Sequence, residues 1–111
     1  MFNRMDKIEI KILNKHPREF IFSLEDATIG KVFRSFELLE VFGHTIGMPH
    51  VRHIERDLME LRVRGKQEVR LFFTFRNNAV IVMHGFVKKT MRIPAKELKI
   101  AQTRLKLFDQ I

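Results

Sequence analysis

The stretch EVRLFFTFRNNAVIVMHGFVKKT, residues 68–90, carries the strongest structural signal in the chain. Its first part alternates. Val69, Leu71, Phe73 and Phe75 fall on one side and Arg70, Phe72, Thr74 and Arg76 on the other, the period of a strand. Asn77 and Asn78 follow, a residue type that tolerates the left-handed conformations of a tight turn. Residues 79–86 read as the next strand, apolar enough over 79–83 to be buried on both faces, and two adjacent cations, Lys88 and Lys89, follow. The reading is a β-hairpin. If its second strand stays extended, His84, Phe86 and Lys88 share one face while Gly85, Val87 and Lys89 share the other. Paired cations beside a buried strand repel each other and resist desolvation, so an anionic neighbour is expected.

Working outward, DLMELRVR (57–64) sets Met59, Leu61 and Val63 against Glu60, Arg62 and Arg64, which predicts a third strand. KIEIKIL (7–13) alternates in the same way through Ile8, Ile10 and Ile12. Pro17 is read as opening a short helix, PREFIFSL. A longer helix is expected from Asp26, with Ile29, Val32, Phe33, Phe36 and Leu39 at helical spacing and Gly43 as its stop. HTIGMPHVRHIE (44–55) reads as a loop. Pro94 opens a last helix with Leu98, Ala101, Leu105 and Phe108 in one stripe. The predicted order is β-α-α-β-β-β-α, an α+β fold in one domain, residues 1–111. A small, twisted, antiparallel-rich sheet carries the helical pair on one face, and the chain ends in a helix. The other sheet face, with Arg62, Arg64, Arg70 and Arg76, is expected to be open.

Composition narrows the chemistry. The 111 residues include no Cys, Tyr or Trp but eleven Phe. Disulfides, thiol nucleophiles, Cys-ligated zinc and any mechanism needing a tyrosine hydroxyl are excluded, and a reducing cytoplasm is the expected setting. The first twelve residues lack an apolar core of signal-peptide length, and no window suggests a membrane span. The net charge is +8 and unevenly placed: residues 62–106 hold twelve Lys or Arg against only Glu68 and Glu97. Such polarisation points to a polyanionic partner, nucleic acid or an acidic protein, with a solvated basic surface as the bland alternative.

Two further features weigh little. His50, His53 and Glu55 lie close in sequence, but their spacing is loose for a metal site and none is expected. Gly30 and Lys31 lack the upstream glycine of a phosphate loop.

Several residues together resemble a known family. MELRVRGKQEVRLFFTFRNNAVIVMHGFVKKTMRIPAKELKIA contains an ELR triplet (60–62), an Arg opening the next strand (Arg70) and an H-G-F-x-K-K-T segment followed by a Pro. A helix with Ala101 comes after. Across about residues 28–104 this is similar to the phage-derived branch of the RelE/HigB-type toxins of toxin–antitoxin systems. The resemblance implies a RelE-like fold and a cytoplasmic toxin neutralised by a cognate antitoxin, either acidic or a helix-turn-helix protein. It further implies a metal-independent, cofactor-free endoribonuclease that cleaves mRNA, at the ribosome, by attack of the 2′-hydroxyl on the adjacent phosphate.

That reaction needs a base, cations on the phosphoryl oxygens and an acid for the leaving oxygen. The candidate catalytic residues are Arg62 and Arg70 as a phosphate clamp, with His84 and Lys88 for proton transfer. Arg64, Arg76, Lys89 and Arg92, with the rings of Phe72 and Phe86, are candidates for RNA binding. Structural readings stand beside each one. Arg62 could pair with Glu60 or Glu68, His84 could be a hydrogen-bonded core histidine, and both rings could belong to the core. Lys96, Lys99, Arg104 and Lys106 read as a solvated helix face. A non-catalytic nucleic-acid-binding module and a ParE-like toxin acting on gyrase are the alternatives for function.

Overall fold

The hairpin is the centre of the sheet. In the computed structural model, which describes residues 7–111, β4 (Val69–Arg76) and β5 (Ala79–Val87) pair antiparallel. Asn77 and Asn78 join them at φ of 50° and 60°, so both turn residues adopt the left-handed conformation their side chains tolerate. The parallel edge strand β1 (Glu9–Ile12) lies beside β5, and β3 (Leu58–Val63) pairs antiparallel with β4. A further strand, β2 (Val51–Glu55), closes the other edge, and the order is β1-β5-β4-β3-β2. This mixed α+β architecture is compatible with the expected RelE-like fold, and the element order gains one strand.

β2 corrects the loop expected over residues 44–55. Only Val51 in it is buried, so it shows no apolar alternation, and its pairing with β3 is irregular between His53 and Glu55. Backbone pairing with β3, a non-local interaction, makes the strand. A short 3-10 turn, Gly43–Thr45, precedes it.

Helix α1 (Lys15–Phe22) starts two residues before Pro17. Asn14 caps it, accepting a 3.0 Å bond from the His16 amide, and Pro17 falls within the first turn. Helix α2 (Asp26–Phe42) spans the expected range and stops at Gly43, whose φ of 52° favours glycine. Both helices cover one sheet face. Ile21, Val32, Phe36 and Leu39 pack there on Leu61, Leu71, Phe73 and Val82.

Helix α3 (Ala95–Asp109) covers part of the opposite face. Its Ala101 and Leu98 pack with Phe72, Phe86 and Leu58; its Leu105 and Phe108 pack with Ala79, Ile81 and Met83. The face expected to be open is therefore covered at its centre. A bulge in β5 makes this possible: Phe72 pairs with His84 but Phe73 with Val82, which leaves Met83 extra. Odd-numbered residues face α3 before the bulge and even-numbered ones after it. Both halves of β5 thereby present apolar side chains to one helix. Among the described residues, no helix is long and apolar enough to cross a membrane.

Candidate functional site

The sheet face under α3 holds a polar network inside an apolar surround. Phe72 and Phe86 are buried with ring centroids 5.7 Å apart, and His84 lies 6.4 Å from Phe72 in a near-parallel stack. Neither phenyl ring is available to a nucleobase in this arrangement, so their expected stacking role requires α3 to move. The physical reason is Ala101, whose small side chain lets the helix approach both rings closely.

His84 is half-buried between two side chains of α3. Its Nε2 is 2.9 Å from Glu97 Oε1 and its Nδ1 is 3.3 Å from Arg104 Nη1. A guanidinium can only donate, so Nδ1 accepts, and the imidazole proton sits on Nε2 and is donated to Glu97. Arg104 also donates to the Met83 carbonyl at 2.8 Å. Burial pushes the His84 pKa below its ordinary value; the bond and charge of Glu97 oppose this, and Arg104 adds to it. The ring is thus a neutral imidazole with one nitrogen lone pair directed at a cation. Burial also lowers the Arg104 pKa from its ordinary value.

Arg70 and Arg62 are paired neighbours across β4 and β3, yet their side chains do different things. Arg70 is only 4% exposed. It donates to Glu68 Oε2 at 3.3 Å and to its neighbour's carbonyl, Val69 O, at 3.0 Å. Its Nε is 3.9 Å from Oε2 of buried Glu60, and neither of those atoms has a hydrogen-bond partner. The expected phosphate clamp of Arg62 with Arg70 is therefore not assembled, because Arg70 is held in a covered ion network. Arg62 instead reaches toward Met48, with Nη1 3.8 Å from Sδ, and lines a cavity with Lys31, Arg34 and Arg64.

The other candidates are dispersed. Arg76, at the far end of β4, is fixed by Asp109 at 2.9 Å and Asp57 at 3.2 Å and also donates to Thr74 Oγ1. Its pKa is raised, chiefly by the bond to Asp109, and Arg76 in turn holds the Asp109 carboxyl below its ordinary value. Six residues of strand place it about 20 Å from Arg70, so it belongs to no common clamp. Lys88 lies just beyond β5, where its Nζ donates to the Met91 carbonyl at 3.0 Å and its amide to Glu68 O. Lys89 and Arg92 are exposed on the segment leading to α3. His53 bonds the Arg56 carbonyl, and no cluster of three potential metal ligands occurs among the described residues.

The sequence reading puts Arg104 on a solvated helix face and gives Glu97 no role. Helical spacing could have found them. At four before and three after Ala101 they share its face, and Ala101 lies in the apolar stripe.

Fold and site together define a small, strongly basic α+β protein, compatible with a RelE-like fold, with helices on both faces of its sheet. The family described as Phage derived protein Gp49-like (DUF891) matches residues 19–106, and the chain belongs to that family. The match begins within α1 and ends within α3, so it includes His84, Glu97, Arg104 and the cation-lined cavity. No curated protein matches the chain.

Proposed function

We propose that the protein is the toxin of a type II toxin–antitoxin pair, a metal-independent endoribonuclease acting on mRNA at the ribosome. The observation that supports this reading best is His84, a neutral imidazole whose accepting nitrogen faces a guanidinium. In the reaction the substrate phosphate takes over Arg104, which releases Nδ1 to accept the 2′-hydroxyl proton. The 2′-oxygen bonds to phosphorus as the bond to the 5′-oxygen breaks. The leaving oxygen takes a proton from the imidazolium or from Lys88. The products are a cyclic phosphate and a 5′-hydroxyl end. Glu97 keeps the imidazole in the productive tautomer. Substrate entry requires α3 to shift, and the same shift uncovers Phe72 and Phe86. A cognate antitoxin, acidic or of helix-turn-helix type, is the expected inhibitor.

One observation favours a second reading, a non-catalytic nucleic-acid-binding module: Arg70, Phe72 and Phe86 are buried. Inducible expression in a bacterium with mapping of mRNA 5′ ends separates the two. Wild type should arrest growth and create new 5′-hydroxyl ends; a folded His84→Gln protein should cleave about 10²-fold less or worse. Arrest with intact mRNA, or undiminished cleavage by His84→Gln, would refute the ribonuclease reading.

A further inference from the structure

Lys31 and Arg34, one turn apart on α2, meet Arg62 and Arg64 at the end of β3 around a cavity of about 270 Å³. No carboxylate lines it. Arg64 has an exposed 3.9 Å contact with Glu68, while Lys31, Arg34 and Arg62 form no ion pair among the described residues. Leu38, Pro49 and Val63 supply apolar wall.

A second observation concerns Gly65, in the turn after β3. A Cβ there would collide with Nζ of Lys31, so the missing side chain is what lets this ammonium lie over the turn beside Arg64. Four like charges converging on one concavity repel one another, and among the described residues only Arg64 has a carboxylate, the partly exposed Glu68 at 3.9 Å, within ion-pair reach.

We propose that this cavity binds a phosphate of single-stranded RNA, as a subsite separate from the His84 centre. Guanidinium forks match phosphate oxygens, and convergence on one point suits a single multi-oxygen anion. An acidic peptide, whose carboxylates are spread along a chain, would call for a dispersed basic surface. The volume lies just below the ordinary range for small-molecule sites, about 300–1,000 Å³, and suits one nucleotide unit with its sugar against the apolar wall. RNA as the source of the phosphate rests on the function proposed above; the phosphate subsite itself does not.

The test is fluorescence anisotropy with a short, single-stranded 2′-O-methyl RNA, which has no free 2′-hydroxyl and cannot be cleaved, titrated across about 50–200 mM salt. Loss of one phosphate contact flattens the log–log salt dependence by about 0.7, so Lys31→Ala/Arg34→Ala should lose up to about 0.7 from the slope. Both residues are exposed on α2, and their removal should leave the fold intact. Lys11→Ala, on the exposed side of β1, should leave the slope unchanged. An unchanged slope in the double variant would overturn the proposal. So would equally tight binding of a mononucleotide, or capture of poly-glutamate by a protein that ignores the oligonucleotide. Slope loss without cleavage in cells would defeat the ribonuclease reading alone; cleavage with an unaltered slope would defeat this subsite alone.

Discussion

Replacing Arg70 by Met asks whether the Arg70–Glu60 pair is buried in solution. Arg70 is 4% exposed and Glu60 1% exposed, and they face each other at 3.9 Å. Met retains an unbranched chain of similar length, so little of the loss comes from a cavity. What is lost is the cation beside a buried carboxylate, and breaking such a pair costs about 3–5 kcal/mol. The geometry argues for the low end. The contact is long, both facing atoms lack hydrogen bonds, and the second partner, Glu68, is 36% exposed. About 3 kcal/mol is therefore expected, and at roughly 4–8 °C per kcal/mol the melting temperature should fall by roughly 12–24 °C. Adding Glu60→Leu removes the stranded charge and should return most of the loss, since apolar replacement of a buried pair is often neutral. Urea denaturation of the four proteins of this cycle should give a coupling of about 1–3 kcal/mol. An Arg70→Met protein within about 0.5 kcal/mol of wild type would refute the reasoning, because that is how an exposed side chain behaves. The stability measurement must precede any activity assay, since lost cleavage in an Arg70 variant could otherwise be mistaken for a missing phosphate clamp.

Stability should fall as pH drops below about 6.5: the His84 pKa is depressed in the fold, so the unfolded chain takes up the proton first. Urea midpoints across that range should show this slope in wild type and lose it in His84→Gln. Gly85→Ala would place a Cβ 2.5 Å from Leu71 Cδ2 and 2.6 Å from Phe20 Cδ2, and this overpacking should cost about 1–3 kcal/mol in chemical denaturation. Asp109→Asn breaks an exposed pair with Arg76 and should cost only about 0–1 kcal/mol; hydrogen exchange should rise in the last turn of α3 and nowhere else.

The elements legible in the sequence are those whose own side chains decide them. The Asn77–Asn78 turn, the alternation of β3 and β4 and the span of α2 all follow from local chemistry. β2 was not legible, because one buried residue in five leaves no pattern and its strand character comes from β3. The bulge in β5 was hidden for the opposite reason: residues 79–83 are apolar on both faces, so a shift of phase leaves no trace. Arg70 misled by its type. Alternation put it correctly on the face opposite α1 and α2, but an arginine at such a position suggests solvent. Its burial beside Glu60 is a tertiary outcome that no local pattern reveals.

Arg62 is the instructive contrast. It pairs with Arg70 in register, one strand nearer the sheet edge, and its amide bonds to His50 O just outside β2. No strand residue shields it there, so its long side chain escapes toward α2, whereas Arg70, flanked by β3 and β5, is buried. The two arginines should therefore separate in experiment. Arg62→Ala removes a half-buried cation that has no carboxylate partner among the described residues, and relief of repulsion with Lys31, Arg34 and Arg64 should keep its effect on stability within about 0.5 kcal/mol. Its salt slope for single-stranded RNA should nevertheless fall by about 0.7. A large loss of stability in Arg62→Ala would mean that the cavity is a structural ion site. A small one, with the slope reduced, assigns the surplus positive charge at this end of the sheet to phosphate.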